Sequence, residues 1–314
     1  MEILKIRKRI NSVCFAVLLF IAFVSALQLL PIMNFLSGMD INDSVKESFE
    51  SIYVGLSYVV SYAVTALVYK RIFKMEYCSM CIAPQLGRCP IPMILTSLGV
   101  IFTASNISGY FHFFESSSIF VRYENQSIVL LLFTSAIVPA FCEELFFRGL
   151  IMTNLMPLGK GFAIITSAII FGLIHGNHDQ ILFATVAGLI FGWVYSETGT
   201  LWCGILIHLL NNTIVVAQTV LAGTLEYTLA TKLYLVIQLA VFIFGTVSIL
   251  YLIYKFKEEN KVMINKGCFG KTAVRLFGGA NEYSISEYLR GLFAPAAILF
   301  AIYVIISEIV YVIS

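Results

Sequence analysis

Nine apolar runs divide this chain, at residues 12–35, 51–70, 91–111, 127–156, 161–177, 180–197, 199–220, 232–254 and 291–313. Each reaches the roughly 17 residues that a helix needs to cross a bilayer. Inside lipid every backbone amide must find its partner within the chain, so such runs fold either as helices or as a closed barrel. The sequence has no ten-residue segments of alternating polarity, which leaves helices. The expected fold class is all-α: a polytopic integral membrane bundle of nine transmembrane helices, or eight if one run is re-entrant. Charged residues make up 12% of the chain, against about 25% in soluble domains. The net charge of +2 implies no nucleic-acid partner; the expected surroundings are membrane lipids.

The short connections alternate in charge. The amino terminus is basic (Lys5, Arg7, Lys8, Arg9), and residues 36–50 are acidic (Asp40, Asp43, Glu47, Glu50 against Lys46). Residues 70–90 are basic again, and 255–290 carries Lys255, Lys257, Lys261, Lys266, Lys271, Arg275 and Arg290. Under the positive-inside rule this places the amino terminus of a multi-pass protein in the cytoplasm, and the expected location is the bacterial cell membrane. Val24, Ser25 and Ala26 would suit a signal-peptide cleavage site, but the apolar run continues to Phe35, which fits an uncleaved anchor. The carboxyl terminus has no prenylation Cys, so the chain is not expected to be such a substrate itself. Three regions are expected: residues 1–126 with three spans, a core at 127–220 with four, and 221–314 with the remaining helices and the basic loop at 255–290.

Within the core, polar residues recur at helical spacing. Glu143 and Glu144 lie in an otherwise apolar run, where a single central acid costs on the order of 2.5 kcal/mol or more. Glu144 and Arg148 are four apart and share a helix face, while Glu143 points about 100° away. The next helix carries Phe171 and His175, and the helix from 199 carries His208 and Asn212 on one face. At a rise of ~1.5 Å per residue, Glu143, His175 and Asn212 all lie about 20 Å from the basic side, with His208 one turn shallower. A carboxylate and an imidazole at one depth can hold and deprotonate a water. A second imidazole with a carboxamide can donate to an oxyanion. Two His nitrogens and a carboxylate (Glu143, His175, His208) also match a hydrolytic site for zinc or another divalent metal. There is no His-Glu-x-x-His, which excludes a zincin.

Glu-Glu-x-x-x-Arg, Phe-x-x-x-His and His-x-x-x-Asn, in this order on separate membrane helices, resemble the CAAX protease and bacteriocin-processing (CPBP, or Abi) family of intramembrane endopeptidases. The resemblance covers residues 127–220. It implies a peptidase acting on a hydrophobic or prenylated peptide or protein, with a role in bacteriocin processing or self-immunity. It also implies that Glu143 and His175 activate water, that His208 and Asn212 hold the oxyanion, and that Glu144 and Arg148 fill the remaining motif positions. Both metal-dependent and metal-free mechanisms are assigned to the family, and the sequence carries either.

Two other functions fit parts of the pattern: a catalytically silent immunity or scaffold protein of the same fold, and an ion-coupled transporter. The transporter would call for paired broken helices in two related halves, which the sequence lacks. His175 also fits a core histidine bonded to a carbonyl, and His208 with Asn212 fits polar glue between helices. Cys78, Cys81 and Cys89 resemble half a zinc knuckle without a fourth ligand.

Overall fold

The computed structural model describes residues 2–30, 38, 42–73, 90–110, 127–176, 178–265 and 289–313. No strand occurs among them. The helices are α1 (Glu2–Gln28), α2 (Asp43–Phe73), α3 (Ile91–Tyr110), α4 (Ile128–Leu158), α5 (Lys160–Leu173), α6 (His178–Thr198), α7 (Leu201–Thr224), α8 (Tyr227–Asn265) and α9 (Pro295–Ile313). Six of them, α1, α2, α4, α6, α7 and α8, are long and apolar enough to cross a membrane. The apolar stretches of the other three are shorter: Ile91–Ile107, Lys160–Leu173 and Pro295–Ser307. The all-α polytopic bundle therefore stands, as six full-length spans and three shorter apolar helices.

Several helices outrun the apolar windows that predict them. α1 begins at Glu2 rather than 12, α2 at Asp43 rather than 51, and α8 continues to Asn265 rather than ending at 254. Helical hydrogen bonding does not stop where side chains become polar, and Lys and Arg stems lie along apolar surface while their heads reach water. The first part of the expected 255–290 loop is thus helix, and residues 266–288 lie outside the described residues.

Contacts at one end of the bundle hold its levels in register. Arg9 donates to the Asn154 carbonyl near the end of α4 (2.9 Å), and Lys160 at the start of α5 pairs with Glu197 near the end of α6 (2.6 Å). Ser12 and Tyr69 share a hydrogen bond of 3.1 Å between α1 and α2. The Asn11 side chain accepts from the Ala296 amide at 2.9 Å, so α1 caps one of the N–H groups that the first turn of α9 leaves without a helical partner. Between α3 and α8 the backbones touch: a Cβ on Gly99 would lie 2.7 Å from the Gly245 Cα. Small residues at such crossings let membrane helices approach closely, where packing rather than hydrophobic expulsion drives association. Asn106 accepts from Gln238 at 2.7 Å farther along the same antiparallel pair. The core is built by α1, α4, α5, α6 and α7, around Phe147, Leu150, Phe171, Phe191 and Ile207.

Candidate active site

α4 changes its winding twice. Leu132–Ile137 and Glu144–Met152 are π-helical, and Val138–Glu143 between them is α-helical. Pro139 has no amide hydrogen and its ring crowds the carbonyl one turn earlier, so the bend it predicts is met by a widened turn just before it. The second wide turn begins at Glu144. The two glutamates therefore stand on different sides of the helix, Glu144 buried to 1% exposure and Glu143 20% exposed.

Glu144 is the hub of the buried side. Arg148 donates to its Oε1 at 3.0 Å and to the Gly188 carbonyl of α6 at 2.9 Å. The guanidinium lies over the rings of Phe171 (4.8 Å), Phe191 (5.1 Å) and Phe147 (5.9 Å). Its weakly hydrated plane suits an aromatic shell better than a lysine ammonium would. His208 donates from Nδ1 to the same Glu144 oxygen at 3.2 Å and stacks on Phe191 at 4.9 Å. That leaves its Nε2 facing Glu143 Oε2, 3.8 Å away. The pairing of Glu144 with Arg148 follows the spacing in the sequence, but the imidazole beside Glu143 at ion-pair range is His208, where His175 is expected.

His175 does not sit on a helix face. α5 ends at Leu173, and the backbone turns through Gly176 at φ +60°, a conformation that glycine adopts without strain. In that turn the His175 amide bonds back to Gly172, leaving the Phe171 carbonyl without its helical partner. The His175 ring supplies one, with Nδ1 2.7 Å from that oxygen. The carbonyl-bonded reading of this residue describes Nδ1, and Nε2 is the ring nitrogen outside that bond.

Glu143 and His175 line a cavity of about 640 Å³ between α2, α4 and the α5–α6 turn. Tyr58, Tyr62 and Cys142 lie on the same wall. The two tyrosines escape sequence reasoning because Tyr is ordinary in membrane helices; their only signal is a spacing of four residues on one face. Tyr62 is fixed by stacking on Phe20 at 4.1 Å. Asn212 accepts from Asn211 at 3.1 Å through Oδ1, so its amide hydrogens are the end left to donate. Cys78, Cys81, Cys89 and His112 lie outside the described residues, as do the side chains of His178, Asp179 and Glu308.

Gly204 of α7 is needed for this packing. A Cβ there would lie 2.8 Å from Glu144 Oε2, on a carboxylate already held by two partners. Gly204→Ala is expected to destabilise the bundle by about 1–3 kcal/mol through overpacking and to loosen the His208 bond. Thermal unfolding in detergent and peptide cleavage read the two effects; a variant equal to wild type in both would show that the carboxylate shifts freely.

The fold and the site together define a polytopic integral membrane protein with a carboxylate–imidazole cluster between α4 and α7. Residues 125–214 match the family described as type II CAAX prenyl endopeptidase Rce1-like. All seven motif residues, Glu143, Glu144, Arg148, Phe171, His175, His208 and Asn212, fall inside the match. The chain is also 35% identical over 92 residues to the Bacillus subtilis (strain 168) protein named "Putative membrane peptidase YdiL", which covers 29% of this chain and 38% of that relative. No solved structure matches the chain.

Proposed function

We propose that this protein is an intramembrane endopeptidase that hydrolyses a peptide bond in a lipidated (CAAX-type) or otherwise hydrophobic peptide, with water activated by Glu143 and His175. The observation that carries the reading is the placing of both groups on the wall of one cavity of about 640 Å³ that also presents Phe20, Val54, Tyr58 and Tyr62. With Nδ1 engaged, His175 Nε2 is an acceptor, and so is the Glu143 carboxylate. A water between them gives one hydrogen to each and turns its lone pair toward a substrate carbonyl. As its oxygen bonds to that carbon, Glu143 takes a proton. It returns this proton to the amine nitrogen as the C–N bond breaks.

His208 and Asn212 are the candidates for holding the oxyanion. Donation from His208 Nε2 requires a ring carrying both protons, and Glu144 at Nδ1 is the counter-ion for that form. Glu144 and Arg148 act through His208 and are positioning residues. A divalent metal would need ligands converging at about 2.0–2.2 Å, and among the described residues no three His, Cys, Asp or Glu side chains gather in that way. We infer a metal-free mechanism from this arrangement of Glu143, His175 and His208, and no step is routed through a metal ion.

The test uses the full chain in lipid nanodiscs with prenylated and plain hydrophobic peptides, with and without chelator. Cleavage of at least one class, unaffected by chelator, is the expected result. Loss on chelation would replace the metal-free mechanism, and no cleavage of any peptide would favour the silent immunity or scaffold protein.

A further inference from the structure

The cavity is displaced toward one end of the bundle. From Tyr62 its wall follows α2 through Tyr58 and Val54 to Ser51, Glu50 and Glu47, a path of about 22 Å at the helical rise. On α4 it runs from Glu143 back to Thr134, and Gln180 in the first turn of α6 completes it. These positions approach the end where α1 and α5 finish and where α2, α4 and α6 begin. Tyr53 of α2, donating to the Leu27 carbonyl of α1, belongs to the same end.

Most of the cations of the described helix ends lie at the other end. Arg7 and Arg9 on α1, Arg290 ahead of α9 and Lys160 on α5 are brought together there by their contacts with Arg290, Asn154 and Glu197. Lys70 and Arg71 close α2 at that end, and Lys255 stands late in α8. In the sequence the segments that follow α2 and α8 add Lys74, Arg88, Lys266, Lys271 and Arg275, whereas Lys46 on α2 and Lys232 on α8 stand toward the cavity end. The positive-inside rule assigns the cation-rich end to the cytoplasm.

We propose that the cavity is reached from the extracytoplasmic face, and that the bond presented to Glu143 and His175 lies in the exported part of a membrane-held hydrophobic peptide. A prenylated carboxyl terminus in the cytoplasm would meet the bundle at its opposite end. The wall chemistry points the same way. It carries Glu47, Glu50 and Glu143 and, among the described residues, no Lys or Arg. A substrate's terminal carboxylate finds no counter-ion there, while an internal bond with a neutral or basic flank meets no repulsion. The substrate class rests on the peptidase reading; the side of access does not.

Single-cysteine additions test the access. Ser51→Cys and Gln180→Cys mark the cavity mouth and Arg71→Cys the other end, in the full chain expressed in bacterial cells, with wild type as the baseline for its native cysteines. A membrane-impermeant polyethylene-glycol maleimide is expected to add one tag to each mouth variant in intact cells, and to Arg71→Cys only after permeabilisation. The reverse pattern overturns the proposal. For the substrate class, one hydrophobic anchor carries a reporter segment on either face of the membrane. Cutting of the exported segment alone is expected. Cutting of the cytoplasmic one overturns the substrate class, and cutting of neither removes the peptidase reading and the substrate class together while the tags still decide access.

Discussion

Glu143→Gln is expected to lower peptide cleavage by about 10²–10⁴-fold, the usual contribution of a positioned general base, and to leave the unfolding of the bundle in place. The carboxamide keeps the size of the side chain but turns one acceptor oxygen into a donor, so it no longer takes a proton from water. Because Glu143 is 20% exposed on the cavity wall, its replacement leaves no unpaired charge in the core. The buried set around Glu144 does not use Glu143 as a hydrogen-bond partner: Arg148 and His208 both bond to Glu144 Oε1. His175→Ala is expected to fall in the same range, and the double variant little further, because two groups that hold one water act as a unit. Cleavage and thermal unfolding on the same preparations decide the matter. Equal cleavage by Glu143→Gln and wild type would remove this residue from the reaction.

The parts of this architecture that follow from local chemistry are legible in the sequence. Apolar runs locate the helices, though not their charged ends, because Glu2 and Asn265 belong to helices whose hydrogen bonding continues past the apolar stretch. The Glu144–Arg148 pair is legible because a spacing of four residues nearly closes a helical turn, and it survives the wider winding of Glu144–Met152. What lies between helices is not legible. His208 reaches both glutamates because Gly204 leaves room for the Glu144 carboxylate. Likewise, a Cβ on Gly188 would lie 2.9 Å from the Ala168 Cα, so α5 and α6 approach closely there. A glycine in a helix announces neither approach. His175 illustrates a different limit: its motif suggests a helix face, whereas Gly176 ends the helix early and turns the ring into a cap.

Arg148→Ala is expected to destabilise the protein by about 3–5 kcal/mol, the range for removing one partner of a buried ion pair. Arg148 is fully buried, and its loss would leave the Glu144 carboxylate in an aromatic shell with His208 as its remaining hydrogen-bond donor among the described residues. The Gly188 carbonyl would lose a donor as well. Arg148→Lys is expected to recover only part of this, since an ammonium neither forks between Glu144 and the Gly188 carbonyl nor stacks on Phe171 and Phe191. The informative comparison is the double variant Glu144→Gln with Arg148→Met. Replacing both charges together removes the unpaired carboxylate, so much of the stability is expected to return. Cleavage is not expected to return, because His208 Nδ1 then faces a neutral amide and Nε2 loses the counter-ion that supports its donation. Thermal unfolding beside cleavage separates these roles. A double variant that recovers both would reduce Glu144 and Arg148 to packing, and one that recovers neither would make the pair indispensable to the fold itself.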